Sequence, residues 1–156
     1  CISFACSEGT STNNESIITD ECELDGLKMQ LINDSGRAFL SVNGSSNIYK
    51  EVEPRPPCYF MRKDGTLQSY SYPDVDVKQV VIVIGDMSSD EVKKEHGVKT
   101  KDVCGDKAQG VLLKGSEVVI SKKVLKGGVS CKDYGIDEKN FWDFSHWLHN
   151  KNDNYR

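Results

Sequence analysis

Three residues near the C terminus have the types and spacing of a metal site. Asp143, His146 and His149 lie three positions apart, so a helix would place them on one side. Imidazole and carboxylate groups are common ligands of transition metals. A solvated polar helix face beside a polar tail has the same composition, however. We therefore predict no metal site and no bound cofactor.

The sequence lacks the motifs of the common enzyme classes. It contains no Gly-x-Ser-x-Gly elbow, no His-Glu-x-x-His motif and no glycine loop for phosphate. Its 24 aspartates and glutamates produce carboxylate pairs by chance, so they do not indicate a glycosidase pair. We predict that the protein is not an enzyme.

Length and charge restrict the class of protein further. A chain of 156 residues is long enough for one domain with its own core. The net charge is −4, and acidic and basic residues are mixed along the chain, which argues against a nucleic-acid binder. The longest strongly apolar run, residues 80–84, is far shorter than the roughly 20 residues that span a bilayer. No transmembrane helix is expected.

The six cysteines are widely spaced and include no Cys-x-x-Cys pair, so they favour disulfides in an oxidising compartment over zinc. Cys104 and Cys131 flank a predicted hairpin whose antiparallel arms would bring them together. If Cys1 and Cys6 take no part in these bonds, Cys22 is left to pair with Cys58. Two other connectivities stay open, because sequence alone cannot fix disulfide pairing. They are Cys22–Cys131 with Cys58–Cys104, and Cys22–Cys104 with Cys58–Cys131.

The N-terminal stretch Ser3-Phe4-Ala5-Cys6 resembles the end of a bacterial lipoprotein signal, in which a small residue precedes the lipidated cysteine. Residues 7–16 have no aliphatic or aromatic side chain and are typical of a flexible tether. We expect Cys6 to carry the lipid and to anchor the protein to a membrane facing the periplasm, most simply the outer membrane. The alternative is a trimmed signal peptide with Cys1 and Cys6 paired.

Turn signals divide the rest of the chain into hairpins. Asn43-Gly44, Asp64-Gly65 and Lys114-Gly115-Ser116 each separate two strand-like segments. The β-branched run at residues 75–84 predicts the central strand. A short helix is expected from Ser88 or Ser89 to Glu95, and a C-terminal helix over residues 137–149. These patterns predict a mainly β fold, an antiparallel sheet or a sandwich of hairpins with one or two short peripheral helices.

The domain organisation follows from these segments. Residues 1–6 are interpreted as a signal-peptide remnant with the lipidation site, and residues 7–20 as the tether. Residues 21–150 form a single β-rich domain, and residues 151–156 form a polar tail.

This general plan resembles the periplasmic lipoprotein immunity proteins that protect bacteria against their own type VI secretion effectors. The resemblance covers the lipobox-like Cys6, the polar tether and the two late cysteines around a hairpin. It implies a non-enzymatic lipoprotein that binds another protein and occludes it. Tyr70 and Tyr72 are further candidate anchors, since tyrosines on an outer strand face bind partners well.

A second resemblance is to membrane-bound lysozyme inhibitors, whose inhibitory loop reads Ser-Gly-x-x-Tyr. Ser35-Gly36-Arg37-Ala38-Phe39 is similar to that loop, with Phe in place of Tyr, and residues 114–118 are similar to the second inhibitor motif. This makes Ser35, Gly36 and Arg37 candidate contacts with a protein partner. An envelope structural or assembly lipoprotein without an inhibitory partner is the remaining alternative.

Lipidation is directly testable. Because Ala5 and the polar tether suit a processed lipoprotein, we expect a diacylglyceryl group on Cys6 in mass spectra of the native membrane fraction. An unmodified mature chain that begins at another residue would refute it.

Overall fold

The structure is a computed structural model that describes residues 16–43 and 48–147. Eleven strands are present in this part of the chain, together with a 3-10 helix and two α-helices. The first four strands are β1 (Ser16–Leu24), β2 (Leu27–Asp34), β3 (Arg37–Val42) and β4 (Tyr49–Val52). Next come β5 (Tyr59–Phe60), β6 (Arg62–Lys63), β7 (Thr66–Leu67), β8 (Tyr70–Tyr72) and the 3-10 helix Pro73–Val75. The last elements are β9 (Val77–Met87), α1 (Asp90–Glu95), β10 (Cys104–Lys114), β11 (Glu117–Cys131) and α2 (Glu138–His146).

The strands form two main antiparallel sheets, which confirms the predicted fold class. The first sheet has the order β1-β2-β3-β4. The second has the order β11-β10-β9-β5, and β8 also pairs with β9. A small separate hairpin joins β6 to β7. Each consecutive pair in the first sheet is antiparallel, and a β-bulge between Ile18 and Asp20 shifts the register of β1 against β2 by one residue.

A predicted turn and a predicted cap are present in detail, together with a cap at the start of the predicted C-terminal helix. Asp64 and Gly65 both adopt positive φ, at 54° and 81°, as a two-residue hairpin turn requires. The Ser89 side chain accepts a hydrogen bond from the Val92 N–H and caps α1. The Asp137 side chain caps α2 in the same way by accepting from the Lys139 N–H.

The central strand β9 is buried on both of its faces. Residues 80–84 are all fully inaccessible to solvent. Val81 and Val83 belong to the core shared with the first sheet, whereas Val80, Ile82 and Ile84 belong to a second core under α2. The domain is therefore a three-layer structure with the first sheet, the second sheet and α2 in that order.

The two sheets are tied at the corner where β1 meets β5. The Asp20 carboxylate accepts hydrogen bonds from both terminal nitrogens of Arg62, at 2.7 and 3.0 Å, and from the Phe60 N–H at 2.8 Å. The Thr19 hydroxyl donates to the Cys58 carbonyl at 2.7 Å. Since these groups are largely buried, the contacts hold β1 in place as the edge strand of the first sheet.

The predicted boundary of the tether is too late in the chain. β1 begins at Ser16, so residues 16–20, which the sequence pattern assigns to the tether, belong to the first sheet. These residues are mostly exposed and their alternation is weak, which is why the pattern does not reveal them. Residues 7–15 lie outside the described residues.

Gly110 supplies a stability test of the layer contact between β10 and α2. A Cβ atom at Gly110 would lie 2.7 Å from both the Cβ and the Cγ of Phe144, a buried residue of α2. We expect Gly110→Ala to displace the helix and to lower the free energy of unfolding by about 2 kcal/mol, as overpacked cores do. Urea denaturation followed by circular dichroism measures the change.

The matched control for Gly110→Ala is Gly128→Ala on β11. An added Cβ at Gly128 meets nothing within 4 Å, and its φ is not left-handed. We expect this control to change the free energy of unfolding by less than about 0.5 kcal/mol. Equal effects of the two substitutions would contradict the close packing of α2 on β10.

Candidate functional site

The first sheet presents one face to the second sheet and the opposite face outward. The inner face holds the buried side chains Met29, Leu31 and Leu40. Because side chains alternate along a strand, the residues between these face outward. In the register of the sheet, Ile18 pairs with Ile32, and Ile32 pairs with Phe39. These three residues form a continuous band across the outer face, which we call the apolar row.

The apolar row is accessible and extends to an aromatic pair. Ile18 is 52% exposed, and Ile32 and Phe39 are half-buried by their neighbours. The Phe39 ring stacks on Tyr49 of β4, with centroids 4.8 Å apart and planes at 12°. Tyr49 is itself 41% exposed. Exposed aromatic and aliphatic side chains in contact with one another are typical of protein-binding surfaces.

An ion pair fixes one end of the row. The Arg37 guanidinium donates to both carboxylate oxygens of Glu51, at 2.9 and 2.5 Å. It also lies 5.9 Å from the Phe39 ring centroid. The hydrogen bonds to Glu51 raise the pKa of Arg37, and those from Arg37 lower the pKa of Glu51, so both groups stay charged near neutral pH. The ring of Phe39 is thereby held between Tyr49 and Arg37.

The predicted contacts Ser35, Gly36 and Arg37 lie beside the apolar row. Ser35 and Gly36 form the turn between β2 and β3, with φ of 57° and 87°. All three residues are exposed, and the Gly36 N–H donates to the Asn33 side chain at 3.1 Å. The structure therefore joins this predicted site to a larger surface.

The two predicted tyrosine anchors do not belong to this surface. Tyr72 is only 9% exposed, and its hydroxyl lies 2.9 Å from the Glu138 carboxylate. Tyr70 packs edge-on against Phe141 of α2 with centroids 4.7 Å apart. Both rings point to the helical layer, so their interpretation as outward-facing anchors is wrong.

The structure also separates the two pieces that are similar to lysozyme-inhibitor motifs. The Ser35–Gly36 turn lies at the end of β3 that pairs with Val52. Residues 114–118 lie instead at the β10–β11 turn of the second sheet, where the Val118 carbonyl accepts a hydrogen bond from the Lys50 ammonium group at 2.7 Å. The two pieces therefore belong to different sheets.

The Asp143 and His146 side chains contact different partners. Asp143 lies 3.8 Å from the Lys123 ammonium group, whereas His146 lies 2.8 Å from Asp74 through its Nε2 atom and stacks on Trp142. His149 lies outside the described residues. Across residues 16–43 and 48–147, no three His, Cys, Asp or Glu side chains are placed to hold a metal ion.

One of the two predicted disulfides is present. Cys104 and Cys131 face each other in the register of β10 and β11, and their sulfur atoms are bonded at 2.06 Å. The bond closes the base of the long β10–β11 hairpin, which confirms the inference from the hairpin.

The second predicted disulfide is wrong in this structure, because Cys22 and Cys58 are free thiols. The Cys58 sulfur lies 3.3 Å from the Pro54 carbonyl inside the core shared by the two sheets, and the partly buried Cys22 packs against the same core. Burial raises the pKa of each thiol to about 12. Both are therefore protonated and unreactive at neutral pH.

Sequence reasoning missed four residues of the surface, namely Ile18, Ile32, Tyr49 and Glu51. For Ile32 and Tyr49 the available signal was the alternation along the strand, which places each at an outward position. Ile18 gave no such signal, because the bulge between Ile18 and Asp20 reverses the alternation of β1. That signal requires the register of the sheet to be known.

Comparisons with known proteins give no match to this chain, whether with protein-family models, curated proteins or solved structures. Neither α1 nor α2, the α-helices of the described part, has the length and apolar character needed to cross a membrane. Inference about function therefore rests on the chain's own residues and surfaces.

The free thiols give a pH-dependent prediction. Since the pKa values of Cys22 and Cys58 are raised to about 12, the thiolate fraction should rise about tenfold per pH unit from pH 8 to pH 10. Alkylation of the partly exposed Cys22 by iodoacetamide in the folded protein should rise with it, whereas the fully buried Cys58 should stay unmodified until the protein unfolds. In urea the rate should level off above the ordinary pKa of about 8.5. Peptide mass mapping follows each cysteine, and a peptide linking Cys22 to Cys58 would show that the two are paired after all.

Proposed function

We propose that this protein is a non-enzymatic periplasmic lipoprotein that binds another protein and occludes it. Its partner is most simply a secreted antibacterial effector, so that the protein acts as an immunity protein. The observation that carries the proposal is the apolar row on the outer face of the first sheet, continued by Tyr49 and flanked by Arg37. The general plan of the sequence supports the cellular setting.

The row suits binding because it is already ordered. Phe39 is held by a stacking contact and by the Arg37–Glu51 pair, so little side-chain freedom would be lost when a partner binds. The strands beneath it are fixed by the buried core of the sandwich. A rigid surface with a few apolar anchors can block an active-site cleft without any chemistry of its own.

The expected mechanism is therefore steric. The outer face would seat its apolar row in an apolar depression of the effector, and the Ser35–Gly36 turn would extend past the row toward the cleft. Truncating a central anchor in such an interface costs about 2 kcal/mol, or about a thirtyfold loss of affinity.

Contact between sister cells tests this function even while the effector is unidentified. A strain that lacks the gene should be killed or inhibited when grown in contact with its parent, and the wild-type gene should restore survival. The double variant Ile32→Ala and Phe39→Ala should fail to restore it, because the row has lost its anchors. Circular dichroism and immunoblotting establish that the variant is folded and present.

Trp142→Ala is the matched control, because Trp142 is a 43% exposed aromatic residue on α2, on the other side of the second sheet. It should protect as well as the wild type. Full protection by the row variant would refute the proposed surface. A growth defect of the deletion strain in pure culture, without any effect of the parent, would favour the envelope-assembly alternative.

A further inference from the structure

The negative charge of the protein is concentrated in the first sheet. Residues 16–53 contain seven acidic and three basic side chains, a net charge of −4. The whole chain also has a net charge of −4, so the remaining residues are neutral in sum. Residues 54–147, which form the second sheet and the helices, contain 15 basic and 14 acidic side chains, a net charge of +1, so the first sheet determines the sign of the folded domain's long-range potential.

Half of this excess, two negative charges, lies on the same face as the apolar row. By the strand register, four acidic side chains alternate outward with two basic ones. The basic residues are each paired, Lys28 with Glu21 at 3.4 Å and Arg37 with Glu51 at 2.5 Å. The remaining two carboxylates, Glu23 and Asp34, lie near opposite ends of the face. The apolar row is therefore bordered by an excess of negative charge.

We propose that the partner of this face is a cationic protein, which is drawn to the first sheet by its charge and then contacts the apolar row. This inference rests on the proposed function, because it names the chemistry of the partner for the same surface. A second copy of this chain is a poor occupant, since two faces that each carry excess carboxylates repel one another. Nucleic acid is disfavoured for the same reason.

The physical consequence is a specific order of events in binding. Long-range attraction raises the rate of encounter and orients the partner, and it weakens when salt shortens the screening length. The apolar contacts form afterwards and determine how long the complex lasts. Removal of a carboxylate from the face should therefore weaken the encounter without disturbing the fold.

Cytochrome c, a small basic protein, serves as the probe, and its lysine-acetylated form is a control of the same shape without the positive charge. The isotope-labelled full chain is titrated with each form and observed by NMR at an ionic strength of about 10 mM, where screening is weak. We expect amide shifts in β1, β2 and β3, centred on Ile32 and Phe39, with the basic form only. Shifts centred on β11 or α2, shifts with the acetylated form, or no shifts at all would overturn the proposal.

Two double substitutions, each of which removes two negative charges, test whether the carboxylates of this face attract the partner. Glu23→Gln with Asp34→Asn removes two charges from the face, and Glu91→Gln with Glu95→Gln removes two from α1. A unit charge about 6 Å from an opposite charge in water should contribute about a threefold effect. The first pair should therefore lower the association constant about five- to tenfold, and the second less than about twofold. Equal effects of the two pairs would overturn the proposal.

A failure of the cationic-partner proposal can be distinguished from a failure of the proposed function. If the row variant still fails to protect cells but the probe does not map to this face, the surface binds its partner without charge steering, and the cationic partner is refuted. If the probe maps to this face but the row variant protects fully, the charge pattern is real and the proposed function is wrong.

Discussion

The burial of β9 on both faces is the constraint on which the rest of this structure depends. Its five fully buried residues, 80–84, place β-branched side chains alternately on two sides of one sheet. Burying such a side chain contributes about 1.5–3 kcal/mol only if apolar atoms cover it. The strand therefore requires one layer above it and another below, and the chain supplies a sheet on one side and a helix on the other.

The two covering layers are built from different parts of the chain. The first sheet is formed by consecutive strands before residue 53, and it covers Val81 and Val83. α2 arrives last in the sequence and covers Ile82 and Ile84 with two phenylalanines. Gly110 permits the close approach of Phe144, since any side chain at that position would occupy the same space. The close packing of the layers thus depends on small residues as well as on large ones.

The position of the first sheet as an outer layer explains the candidate surface. Only one of its faces is needed for the core, and the other carries Ile18, Ile32 and Phe39 in register. Antiparallel sheets commonly alternate apolar and polar residues when one face is solvated. Apolar residues at outward positions depart from that pattern, and the Arg37–Glu51 pair orders them further. This combination is the structural basis of the proposal that the face binds another protein.

The sequence by itself determined the local structure of this protein. The Asp64–Gly65 turn, the Ser89 and Asp137 caps, the central strand and the Cys104–Cys131 bond follow from residues close in the chain, whose backbone preferences need no distant partner. The tertiary structure alone decided which face of each strand is covered. Tyr70 and Tyr72 contact α2, and Cys22 and Cys58 are free thiols although both pack in the same core, because these outcomes depend on how the layers stack. The alternation of residues along a strand defines two faces but does not determine which of them packs on the core. The packing of the layers determines this, and it leaves the apolar row on the outward face.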